Sequence, residues 1–296
     1  MNCRKFPIVY GEALFDCFAD GKAVLGGAPF NVAWNLQAFR LHPLFISRIG
    51  NDSLGQQIRA AMQDWGMDLS GLQTDPDHPT GTVQIRIENG EPSFNILPEQ
   101  AYDYIDSRLL PSLRGASLLY HGSLILRSPL SAQTLQTLRA DSGLPVFLDV
   151  NLRSPWWDFK TVHTTMCGVR WIKLNEFELQ TLVPGDRPLH QRARELQAKT
   201  RAAWVLVTRG ERGALVYSAD GRMEEITPAG KVEVVDTVGA GDAFASVMIT
   251  GLLRDWPLAL SLARAQAFAS AIVGLRGATT RDPDFYRPFI EDWDLA

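Results

Sequence analysis

Residues Val232–Met248 read VEVVDTVGAGDAFASVM. The apolar run Val232–Val235 predicts a short strand, Asp236-Thr237-Val238-Gly239-Ala240-Gly241 a tight turn, and Asp242 onward a helix. Glycines at 239 and 241 permit positive φ and let backbone N–H groups approach a ligand closely. Those amides fall at a helix N-terminus, where unpaired donors and the helix dipole favour an anion. A carboxylate there, Asp242, is either a helix cap or a catalytic group. The dinucleotide fingerprint GxGxxG fails, because Phe244 occupies the third glycine position. Two readings remain. One is a plain strand-to-helix turn. The other is a phosphoryl-transfer loop whose amides take up charge while Asp242 accepts the proton of an attacking hydroxyl.

Around this segment, short apolar runs alternate with helical patterns. Strands are predicted at Pro7–Tyr10, Leu44–Ile49, Ser117–His121, Val146–Val150, Trp171–Leu174 and Trp204–Thr208. Leu54, Ile58, Met62 and Trp65 recur on one helical face, and Gln191–Lys199 and Leu258–Leu275 predict further helices. The fold class is therefore α/β, with a mostly parallel central sheet and helices on both faces. Two segments break the alternation. Residues 12–25 predict two short strands around Asp20-Gly21. Residues 81–97 predict a β-hairpin, with Val83, Ile85 and Ile87 alternating with polar residues and Asn89-Gly90 at the turn. Together they predict a small β lid inserted into one domain spanning 1–296, either over a site or at a subunit contact. An ordinary excursion at the sheet edge is the plainer alternative.

Composition excludes several classes. The net charge of −4 carries no basic run, so neither a nucleic-acid nor an anionic-membrane surface is indicated. Three scattered cysteines and five dispersed histidines form neither a disulfide framework nor a zinc site. No long apolar stretch predicts a membrane span, and the expected setting is cytoplasmic. GxxxxGK[ST] is absent, because Gly21-Lys22 and Gly230-Lys231 continue with Ala and Val. The protein-kinase motifs are absent too.

DTVGAGDAF at 236–244 resembles the DTxGAGD signature of the ribokinase-like (PfkB-type) carbohydrate kinases. The resemblance extends in order along nearly the whole chain. Gly26-Gly27-Ala28-Pro29-Phe30-Asn31 is similar to the family's sugar-side motif, and Gly11–Asp16 to its first lid strand. It implies that Asp16, Gly26, Gly27 and Asn31 bind the sugar. Ile49-Gly50-Asn51-Asp52 with Gly55 matches a further signature that reads as structural, a strand end followed by an Asp or Ser helix cap. Asp149-Val150-Asn151-Leu152-Arg153 is similar to the family's DxNxR segment at a strand end, where α/β ligands gather. Trp156 and Trp157 beyond it read as packing residues. Lys173-Leu174-Asn175-Glu176-Phe177-Glu178 matches the NxxE motif, implying that Asn175 and Glu178 position Mg²⁺ and phosphate, with Glu178 the metal residue, through water. A helix cap at Asn175 is compatible with this. Thr208-Arg209-Gly210-Glu211-Arg212-Gly213 is similar to the nucleotide loop TxGxxG. Thr208, Gly210, Gly213 and Thr237 are then the nucleotide-side residues, and Arg209 and Arg212 either add charge or are surface residues. Ala263, Ala265, Ala267, Ala269 and Ala271 suit either a flat adenine or close helix packing.

The resemblance implies an ATP-dependent sugar kinase using Mg²⁺, with Asp242 as base and Gly239, Ala240 and Gly241 supplying the anion hole. A monovalent cation such as K⁺ is common in the family. GGAPxNVA without a Lys at the fourth position, and NLRSPWW after Asp149-Val150, look like the fructokinase branch, which makes fructose phosphorylated at O6 the expected reaction. A 2-keto-3-deoxy sugar acid, with Arg86 as its counter-charge, and a nucleoside are alternatives. A sugar- and nucleotide-binding protein without turnover is a third class. The lid suits a homodimer.

Overall fold

The computed structural model describes residues 5–88, 91–230 and 233–295. In chain order its strands are β1 (Phe6–Tyr10), β2 (Leu14–Phe18), β3 (Ala23–Gly26), β4 (Leu44–Gly50), β5 (Leu72–Asp75), β6 (Gly81–Glu88), β7 (Glu91–Ile96), β8 (Ala116–Gly122), β9 (Val146–Asp149), β10 (Trp171–Asn175), β11 (Trp204–Thr208), β12 (Ala214–Ser218) and β13 (Met223–Ile226). Its α-helices are α1 (Ala28–Ala38), α2 (Ser53–Asp64), α3 (Pro129–Ser142), α4 (Phe159–Met166), α5 (Glu176–Leu182), α6 (Leu189–Thr200), α7 (Ala240–Leu253), α8 (Leu258–Ile272) and α9 (Pro283–Asp292).

The main sheet runs β13-β12-β11-β10-β9-β8-β1-β4-β5. From β11 through β5 every pairing is parallel, and only β12 and β13 turn antiparallel at one edge. The largely apolar runs of the parallel strands follow from burial on both faces. Val9, Tyr120, Phe147 and Leu206 face the layer of α1, α2, α7, α8 and α9. Their chain neighbours Ile8, Leu119, Leu148 and Val207 face the layer of α3, α4, α5 and α6. The alternation of side chains along each strand thus divides one sequence between two cores.

A second sheet, ordered β3-β2-β6-β7, stands at the side of the first. β2 and β6 pair parallel, whereas β3 and β7 close the two antiparallel edges. The expected strand pair at 12–25 and hairpin at 81–97 are both present. Asn89-Gly90, the expected turn, lies outside the described residues, as does the side chain of Arg86. The sheet does not stand free of the body: Leu14, Val83, Ile85 and Ile96 are buried in the same cluster as Ile8 and Leu119.

Asp52 caps α2, accepting from Gly55 N at 2.8 Å and also from Thr80 N and Thr80 Oγ1 just before β6. One expectation fails. Residues 233–235 form no strand, and Val232 lies outside the described residues. The N–H groups of Val235 and Asp236 instead donate to the carbonyl of Val273, just past α8, and Val234 and Val235 are exposed. The apolar pattern there serves a loop tied to a helix end, because its backbone donors are already taken by that carbonyl.

Candidate active site

The C-terminal ends of β1, β9, β10 and β11 open into a cleft of about 510 Å³, covered on one side by the small sheet and walled on another by the start of α7. This is where ligands gather in open α/β sheets. Strand register sets much of its floor. Lys173 on β10 pairs with Asp149 on β9, and Asn175 pairs with Thr208 on β11.

Gly239 caps α7 with φ of 80°, and a Cβ there would stand 2.4 Å from Ala278 Cα, so the turn requires glycine. Asp236 locks the loop: its Oδ1 accepts from Val238 N and its Oδ2 from Gly277 N, each at 3.0 Å. Asp242 then falls in the first turn of α7 and lines the cleft with Thr237, Gly239 and Gly241, whereas Ala240 is not among the lining residues.

Asn31 on α1 donates from Nδ2 to Asp242 Oδ2 at 2.8 Å, which joins the sugar-side motif to the carboxylate. Burial pushes Asp242 up to about 6, helped by nearby Asp149 and opposed by Asn31, Lys173 and Arg153. A carboxylate with that value is ionised at neutral pH yet basic enough to hold a proton in passing.

Asp16, at the lid side of the cleft, is also pushed up to about 6 by burial, with Asp236 adding to the shift and Arg153 opposing it. Gly27 begins α1 at φ of 107°, and a Cβ there would meet the Glu12 carbonyl at 2.7 Å. Gly26 does not line the cleft, and a Cβ placed on it would stand 3.4 Å from Asp16 Oδ2.

Asn175 and Glu178 form a capping box at the start of α5. Glu178 Oε2 accepts from Asn175 N and Oε1 from Leu152 N, both at 2.8 Å. Burial raises the Glu178 carboxyl. Both residues line the cleft. Since each Glu178 oxygen already takes one amide, the pair fits a divalent cation that keeps its waters better than one stripped to protein ligands. Among the described residues no group of three or more His, Cys, Asp or Glu could hold a metal.

Thr208 lines the cleft, but Gly210 and Gly213 stand beyond it. Gly213 is needed for the turn, because a Cβ would overlap the Ile226 carbonyl. Arg209 pairs with Glu225 and Arg212 with Glu176, so neither is a free surface charge. Trp156 donates to the Ile96 carbonyl and stacks beneath Arg127, which makes it a packing residue under β7. Ala265 and Ala269 are packed in the core, and Ala263 and Ala267 are exposed on the opposite side of α8.

Among the described residues, four charged residues of the cleft carry no assigned role in the motifs above: Glu12, Asp149, Arg153 and Lys173. Glu12 is the least expected. It is 3% exposed, its Oε2 has no hydrogen-bond partner, and burial pushes its carboxyl up to about 7.

Residues 18–284 match the pfkB family carbohydrate kinases. The chain belongs to that family. It is an ATP-dependent phosphotransferase acting on carbohydrate, and its nine-stranded and four-stranded sheets are the ribokinase-like arrangement. A fructokinase from Klebsiella pneumoniae is 30% identical over 296 residues, which cover 93% of this chain and 95% of that protein. An aminoimidazole riboside kinase from Salmonella typhimurium is 30% identical over 288 residues, 92% of this chain and 89% of that one. A fructokinase double mutant from Vibrio cholerae O395, solved with fructose, ADP and a potassium ion, superposes with a TM-score of 0.82 at 25% identity, covering 97% of this chain and 99% of that chain.

Proposed function

We propose that this kinase phosphorylates fructose at O6, with Asp242 as general base and the Gly239–Gly241 amides as the anion hole. The observation that carries the acceptor class is a pair of buried oxygens without hydrogen-bond partners, Glu12 Oε2 and Asn31 Oδ1, on two residues that line the cleft. A buried acceptor without a donor is costly. With Asp16 and Asp242 beside them, these oxygens call for a neutral molecule rich in hydroxyl donors. A sugar acid would bring a further negative charge among five carboxylates that line the cleft, with Arg153 and Lys173 as its lining cations among the described residues. Fructose itself is favoured by the relatives that carry the fructokinase name.

In the proposed reaction the sugar lies between Asp16, Gly27 and Asn31 under the lid, with one hydroxyl at Asp242. ATP enters along Thr208 toward the Gly210–Gly213 turn, and its phosphates point at Thr237 and the glycine amides. The acceptor oxygen forms a bond to the γ-phosphorus as the bond to ADP breaks. Asp242 takes the hydroxyl proton, and the bonding pair leaves on ADP. Mg²⁺, held through water by Glu178 and Asn175, would offset charge on the phosphates. K⁺ is proposed as an activator near the Asp236–Gly277 junction. Orientation and charge compensation carry most of such a reaction, with base help worth ~10² to 10⁴ in rate.

A furanoside carrying a base is the second reading, favoured by the aminoimidazole riboside kinase relative and by Phe94, an exposed aromatic lining the lid side of the cleft. The proposal extends to a cytoplasmic setting and to pairing of two copies lid to lid, where Phe18 and Phe94 are exposed; a monomeric mass in solution contradicts the pairing. The test of the function is kcat/KM with Mg-ATP across hexoses, sugar acids and ribosides. Fructose should lead; a lead by a sugar acid or riboside would replace it.

A further inference from the structure

We infer that Lys173 is a catalytic residue of the transfer, its ammonium held by Asp149 so as to meet the moving phosphoryl group beside the Gly239–Gly241 amides. The inference rests on the kinase reading above but not on the identity of the acceptor.

Parallel pairing of β9 and β10 sets Lys173 opposite Asp149, and the two side chains join at 2.6 Å, both nearly fully buried. An ammonium has three donors. One is used on Asp149, and the group also lines the cleft. A Cβ placed on Gly241 would stand 3.3 Å from Lys173 Nζ, so the ammonium lies against the first turn of α7. That is the wrong end of a helix for a cation, because the dipole there is already positive. Two positive elements brought together in a buried place are reasonable only where an anion is to arrive. Until then Asp149 compensates the charge.

The position also suits the chemistry. Asp242 and Glu178 each feel both members of the pair, and all four residues line the same cleft. This chain has no Walker lysine following a glycine loop. Here the lysine comes from a neighbouring strand and reaches the same kind of amide-lined pocket. During transfer Lys173 donates a hydrogen bond to an equatorial oxygen and keeps its proton. The acceptor proton goes to Asp242, and the electron pair of the broken bond goes to ADP.

A buried ion pair is by itself weak support for either stability or catalysis, and losing one partner leaves an uncompensated charge. The experiment therefore compares Lys173→Met with the double variant Lys173→Met/Asp149→Asn, which removes both charges. Three quantities are read: melting temperature, kcat, and calorimetric affinity for Mg-ADP in the presence of acceptor, with and without aluminium fluoride as the phosphoryl mimic. The double variant should recover the melting temperature that the single one loses. It should still show kcat down by ~10²-fold, the scale of losing one oxyanion donor. Mg-ADP alone should bind it as it binds the wild type, whereas the tightening by aluminium fluoride should be lost. Recovery of kcat to within about threefold in the double variant would overturn the inference, as would equal tightening in both proteins. If the wild type uses an acceptor other than fructose, the same comparison runs with that acceptor, and only the fructose reading falls.

Discussion

Asn31 Nδ2 donates to Asp242 Oδ2 at 2.8 Å, across 211 positions of sequence. The bond favours the ionised carboxylate and so opposes the burial that raises it. Asn31→Ala removes this donor, and Asp242 should then hold its proton to higher pH. The acid limb of kcat should move upward, with the variant weakest near pH 6 and recovering toward pH 8. Full pH–rate profiles of both proteins check this; an unmoved limb would separate Asn31 from the base.

The wild-type profile has its own prediction. Asp242 lies at about 6, raised mainly by burial. A base must be unprotonated, so kcat/KM should be level above about pH 7 and fall about tenfold per pH unit below 6. A profile flat down to pH 4.5 would contradict the assignment.

Glu12 affects stability. Burial lifts its carboxyl from 4.5 to about 7, so the folded state holds that proton more tightly than the unfolded chain. The resulting stabilisation is fully present below pH 4.5 and is lost as pH rises through 7. Glu12→Gln should therefore leave stability nearly unchanged near pH 4.5 and increase it by about 3 kcal/mol at pH 8. Denaturant midpoints at the two pH values check this, and equal effects at both would refute it.

Asp52 predicts a loss without a catalytic signature. Its oxygens cap α2 and hold Thr80 at the root of the lid. Asp52→Ala should cost about 2 kcal/mol, combining a lost cap with the lost part-buried contact to Thr80. Urea melts measure it; an unchanged midpoint would mean that Thr80 and Gly55 find other partners.

Much of this architecture is legible in the sequence because parallel strands and glycine turns leave local marks. Val146–Asp149 and Trp204–Thr208 are apolar runs that end in polar residues, and those ends are where Asp149 and Thr208 meet the cleft. Asn175 and Glu178 advertise their capping box by spacing alone. Lys173 is different. A single lysine inside an apolar run says nothing until the register sets it beside Asp149, 24 positions earlier. Glu12 is hidden for a related reason. Its burial depends on α1 crossing over β1, and Gly27 must pass within a short distance of its carbonyl. Val232–Val235 misleads because an apolar run near a sheet edge resembles a strand whether or not an edge is free to receive it. Asp236, inside the legible signature, gains its meaning only from Gly277 on the far side of α8.

The central claim is that Asp242 accepts the proton of the acceptor hydroxyl. Its most direct test is Asp242→Asn, with turnover and binding measured on the same preparation. The variant should bind Mg-ATP and fructose about as the wild type does while kcat falls by ~10² to 10⁴, the range for a general base. Turnover within tenfold of the wild type would contradict the claim.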